Sequence, residues 1–106
     1  MTTQPNAFEL AILAAMTRER PSVVVDVGRL RVRSRTLTGV GSYTDFVCDD
    51  SGEPRMMKLK ARIEVPGVPN GLGATLYCRG DELQCLEIFT YGDDSWNGAF
   101  EGFSVG

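Results

Sequence analysis

Apolar residues recur at helical spacing only near the start of the chain. Phe8, Ile12, Ala15 and Met16 stand at i, i+4, i+7 and i+8, with Ala11 beside them, and so share one helix face. Asn6 followed three residues later by Glu9 predicts a capping box. Arg18 and Arg20 fall where the negative end of the helix dipole favours cations, and Pro21 stops the run. The pattern predicts one helix over about residues 6 to 19.

Everything after Pro21 carries the period of strands. Val23, Val24 and Val25 are β-branched and open an extended stretch. Up to Gly28 the odd positions are apolar (Val23, Val25, Val27), and beyond it the even ones are (Leu30, Val32). That switch predicts a bulge or bend at Gly28, with Arg29, Arg31, Arg33 and Arg35 together on the opposite face. Thr38 to Gly41 reads as a turn, Tyr43 to Cys48 as a strand, and Asp49 to Pro54 as an exposed loop. Met57 to Val65 alternates apolar with charged, the mark of an antiparallel strand wet on one face.

Pro66 to Gly73 holds three glycines and two prolines in eight residues and reads as loop. Thr75 to Arg79 and Leu83 to Tyr91 flank Gly80-Asp81, a pair suited to a type II′ hairpin. The register this sets places Arg79 opposite Glu82, Cys78 opposite Leu83, and Leu76 opposite Cys85. A short last strand at Phe103 to Val105 is open to the tail. One helix followed by four to six strands without interleaved helices means a two-layer α+β domain. The N-terminal helix covers an antiparallel sheet with its Phe8/Ile12/Met16 stripe.

Composition narrows the functions. The 106 residues make one domain, 1–106, with residues 1–5 as a flexible N-terminus. A hydrophobic share of 42% and a charged share of 24% exclude wholesale disorder. The polar start lacks a basic n-region, and no run is long and apolar enough for a membrane span, so the chain reads as cytoplasmic. Histidine is absent, and the three cysteines (Cys48, Cys78, Cys85) lack C-x-x-C spacing. No metal set, cofactor or activated nucleophile is therefore expected, nor is a phosphate-binding glycine loop present in the sequence. The three thiols read as small buried hydrophobes in a reducing compartment.

Charge is segregated along the chain. The arginines at 29, 31, 33 and 35 form a basic row, while from residue 80 onward there are six acids and no Lys or Arg. The row suits an acidic partner or phosphate; the plainer reading is a solvated edge strand, or charges paired across strands. A net charge of −3 disfavours nucleic acid. On strict alternation Glu87 shares a face with Leu83, Cys85, Phe89 and Tyr91, where an acid must be hydrogen-bonded, paired or shifted in pKa. The alternatives are a bulge that turns Glu87 outward, or an arginine that pairs with it. Tyr91, Trp96, Phe100 and Phe103 offer a surface patch or close the end of the core.

Three strings, T-G-V-G-S-Y-T-D-F (Thr38 to Phe46), E-V-P-G-V-P-N-G-L-G (Glu64 to Gly73) and L-E-I-F-T-Y-G (Leu86 to Gly92), occur in this order. They resemble a group of small bacterial proteins of unknown function with a T-G-x-G-F-F-T-like turn, a P-G-rich loop and an L-E-G-F-T-Y-G-like strand. The likeness covers roughly residues 29 to 105, and departs at Ser42, where an aromatic is usual, and at Ile88, where glycine is usual. It implies a bacterial cytoplasmic α+β domain and transfers no catalytic residue.

The sequence thus points to a non-catalytic domain that binds another protein, through Arg29, Arg31, Arg33 and Arg35 or through Tyr91 and Trp96. A homodimer through the arginine edge is a variant of this reading. The alternative is a small-ligand-binding or minor enzymatic domain with a pocket near Tyr43 and Glu87.

Overall fold

The computed structural model describes residues 2–23 and 25–106. Helix α1 spans Ala7–Glu19. Its start is the expected capping box: Glu9 N–H donates to Asn6 Oδ1 at 2.8 Å, and Asn6 N–H donates to Glu9 Oε1 at 2.8 Å. At its end Arg20 N–H closes on the Met16 carbonyl at 2.8 Å, just before Pro21. Phe8, Ile12, Leu13, Ala15 and Met16 are buried, Leu13 rather than Ala11 completing the stripe. Each large side chain there contributes roughly 1.5–3 kcal/mol on leaving water.

The helix lies on an antiparallel sheet of seven strands, two of only two residues each. They are β1 (Val32–Leu37), β2 (Gly41–Phe46), β3 (Pro54–Lys58), β4 (Ile63–Glu64), β5 (Leu72–Arg79), β6 (Glu82–Thr90) and β7 (Ser104–Val105). The order is β1-β2-β6-β5-β4-β7, and β3 also pairs with β5. Val32, Phe46, Ile63, Leu72, Ala74, Leu76, Leu86 and Ile88 project to the helix side and are buried. The result is the two-layer α+β fold read from the pattern. No helix among the described residues is long and apolar enough to cross a membrane.

The expected Met57–Val65 strand is interrupted. β3 and β4 lie along one edge of β5, but between them the chain leaves the ladder. There the Glu19 carboxylate, at the end of α1, accepts the backbone N–H groups of Lys60 and Ala61, both at 2.7 Å. A helix side chain thus satisfies donors that a neighbouring strand would otherwise take.

The stretch before β1 is not a strand. Arg29 and Leu30 N–H groups both donate to the Asp26 carbonyl, forming a turn in which Gly28 sits. The outer side of β1 at Val32 is already paired with Thr3, which leaves less edge for a further strand. Val24, part of that predicted stretch, lies outside the described residues.

The arginine row does not exist as one face. The β1–β2 register slips between Val32 and Ser34, so Arg33 occupies a bulge and the residues after it change sides. Arg35, opposite buried Thr44, faces the helix. Arg31 turns its guanidinium back onto the Gly28 and Leu30 carbonyls, and Arg29 sits in the turn.

The β5–β6 hairpin turns at Gly80, whose φ of 58° suits the first position of a type II′ turn. Arg79 faces Glu82 and Cys78 faces Leu83 as expected. A bulge then leaves Gln84 without a partner, so Tyr77, not Leu76, stands opposite Cys85. Finally, the tail folds back over the helix. Phe8 stacks on Phe100 with centroids 5.2 Å apart and meets Phe103 and Trp96 at an angle. β7 then adds to β4, the short last strand.

Candidate functional site

The helix covers one face of the sheet and leaves the other open. Register fixes which side chains stand on that open face. Ser34 (β1), Asp45 (β2), Cys85 (β6), Tyr77 (β5) and Met56 (β3) form one row across five strands. Thr36, Tyr43, Glu87, Thr75 and Lys58 form the next. Phe89 follows in a third row, between Gly41 and Gly73. A Cβ on Gly73 would stand 2.5 Å from the Phe89 ring and from the Tyr91 hydroxyl, so those two side chains lie over the glycine. Their rings meet edge to face at 5.5 Å.

Glu87 is the centre of this face. The Gln84 bulge parts it from Leu83, which points into the core, and keeps it beside Cys85 and Phe89. Tyr77 Oη donates to Glu87 Oε1 at 2.9 Å, and Tyr43 Oη donates to Glu87 Oε2 at 3.2 Å. Each carboxylate oxygen is thus held by a phenol from a neighbouring strand. The Glu87 charge and these hydrogen bonds raise both phenol pKa values, for Tyr77 with the hydrogen bond as the main cause. Both therefore persist as donors.

Cys85 stands in the adjacent row. Burial, then the Asp45 carboxylate, push its thiol up to about 12. Asp45 itself accepts from the Ser34 hydroxyl at 3.1 Å. Thiol and phenols alike are shifted toward their protonated forms. Among the described residues no group of three His, Cys, Asp or Glu side chains has metal-holding geometry.

The two ion pairs among the described residues lie elsewhere, Arg35 with Glu9 and Arg62 with Glu64. Among the described residues neither Glu87 nor Asp45 takes part in an ion pair. Lys58 shares the Glu87 row but stands beyond Thr75, on the far side of β5.

Of the residues singled out in the sequence, Tyr43 and Glu87 do come together, on an open face rather than in a pocket. Tyr91 is exposed at the border of that face. Trp96 is not a surface anchor: it is buried beneath the tail, and its indole N–H donates to the Ala99 carbonyl at 2.8 Å. Arg29, Arg31, Arg33 and Arg35 are dispersed as described above. Tyr77 and Asp45 also stand on this face: the unrecognised bulge brings Tyr77 to the Glu87 side of the hairpin, while Asp45, two residues from Tyr43 on β2, shares its face by alternation.

Clefts lie away from Glu87. One of about 580 Å³ runs between the segment before β1 and the β5–β6 hairpin, with Arg29, Leu30, Arg55, Met57 and Leu83 in its walls. Another, of about 530 Å³, is bordered by Lys60, Arg62, Asn70 and Tyr91. No protein-family model, curated protein or solved structure matches the chain.

Proposed function

We propose that the domain is a non-catalytic protein-interaction module whose docking surface is the open sheet face around Tyr43, Glu87 and Tyr77. The observation that carries this reading is the character of that face. It presents Tyr43 and Met56, 40% and 58% exposed, around a carboxylate fixed by two phenols, and neither the helix nor the aromatic tail covers it. Rigid aromatic side chains with a polar tip lose little entropy on binding and recur as interface anchors. The protonated state favoured for Cys85 supports binding over nucleophilic catalysis.

The alternative of a small-ligand or minor enzymatic domain centred on Glu87 has less support, since Glu87 and Tyr43 line neither cleft described above.

The test is competitive capture with the full chain from the native cell extract. Tyr43→Glu and Met56→Glu should each release the bound protein, while Arg31→Glu and Arg33→Glu should not. A partner that stays on both face variants and leaves the arginine variants would move the docking surface to β1.

A further inference from the structure

Among the described residues, the carboxylates of the open face have neighbours that hold them and none that pairs with their charge. Tyr43 and Tyr77 each donate one hydrogen bond to Glu87, which leaves further lone pairs on both oxygens of this half-buried carboxylate. Asp45, diagonal to Glu87 through the Tyr43–Glu87 and Asp45–Cys85 pairs, accepts one hydroxyl. Neither has an ion-pair partner among the described residues. Two negative charges thus stand side by side, amid aromatic rings, on the surface proposed for docking.

Complementarity then constrains the occupant. An acidic partner would be repelled. A purely apolar one would strip water from two carboxylates and give nothing back. A long cationic side chain meets every feature. Its head pairs with carboxylates already fixed in place, its charge is attracted to the flanking rings, and its methylene stem packs on Phe89 or Met56.

Resting on the docking reading above, we propose that this face takes a lysine or arginine side chain of its protein partner, seated on Glu87 between Tyr43 and Tyr77 with Asp45 beside it. Lys58, in the same row beyond Thr75, is the internal rival tested for that position.

The probe is a display library of random heptapeptides, panned on the immobilised full chain. Peptides that lose binding to Tyr43→Ala, which removes the ring without adding charge, are then measured by fluorescence anisotropy. They should share a Lys or Arg, and exchanging that residue for methionine should weaken them about tenfold or more. Glu87→Gln, which keeps an acceptor for one phenol, should cause the same loss and make the peptide exchange indifferent. Lys58→Met should leave affinity unchanged or raise it, and added salt should lower it. Face-dependent peptides without a cation, or ones indifferent to Glu87→Gln, would overturn this inference and leave the docking surface standing. A library yielding no peptide sensitive to Tyr43→Ala would remove both.

Discussion

Arg35 grips Glu9 with two nitrogens at once, Nε to Oε2 at 2.7 Å and Nη2 to Oε1 at 2.8 Å. Glu9 is only 3% exposed, and its carboxylate also accepts from Thr44 Oγ1 at 3.0 Å and from the Asn6 N–H. One side chain therefore ties the helix start to β1 and β2. Removing Arg35 leaves a buried charge with hydrogen bonds but no counter-ion. Arg35→Met should cost about 2–3 kcal/mol, below the range for fully buried pairs because Arg35 is 37% exposed. In urea unfolding, the double change Glu9→Leu/Arg35→Met should be less destabilising than Arg35→Met alone.

The same carboxylate shapes the acid limit of stability. Burial alone would raise the Glu9 pKa, but hydrogen bonds from Arg35, Asn6 and Thr44, together with the guanidinium charge, hold it below its ordinary 4.5. With the folded value below the unfolded one, its contribution is complete above pH ~4.5 and drains away as pH falls through the folded value. Urea unfolding from pH 7 to pH 3 should show the stability gap between the wild-type chain and Glu9→Gln narrowing on the acid side. A gap constant over that range would refute the assignment.

Two glycines in the Phe89 row separate backbone from side-chain crowding. A Cβ on Gly41 would collide with the Ile88 carbonyl of β6, which cannot move without breaking the β2–β6 ladder. On Gly73 it would meet the Phe89 ring and the Tyr91 hydroxyl, side-chain ends that can swing aside. Gly73→Ala should cost about 1–3 kcal/mol, and Gly41→Ala distinctly more. Thermal melts of the two variants, followed by circular dichroism, decide the order.

The thiols should be slow. Burial is the first cause of the upward shift at Cys48, Cys78 and Cys85 alike, and at Cys85 the shift reaches about 12. Iodoacetamide at pH 8 should therefore label the folded chain far more slowly than the urea-unfolded chain, where all three should react. Rapid labelling of Cys85 in the folded chain, read by mass spectrometry, would contradict the geometry of the open face.

What the sequence disclosed followed the strength of its local signals. The capping box, the Phe8/Ile12/Met16 stripe and the Gly80-Asp81 turn each rest on neighbours within a few residues, and all appear where expected. The bulges at Arg33 and Gln84 carry no such mark, since each is settled by the strand next door rather than by the residue itself. Both reverse the faces of what adjoins them. That is why the arginine row dissolves and why Tyr77 joins Glu87 unannounced, whereas Asp45, two residues from Tyr43 on the regular strand β2, was legible from simple alternation. The break near Ala61 was equally hidden, because its hydrogen bonds come from Glu19, forty-odd residues earlier.

That reach of Glu19 binds the end of the helix to the gap between β3 and β4. Peeling the helix away would strand two amide protons on the sheet margin and bare the aromatic cluster around Phe8. Neither layer has a half-assembled state to retreat to, so the molecule should melt as one body.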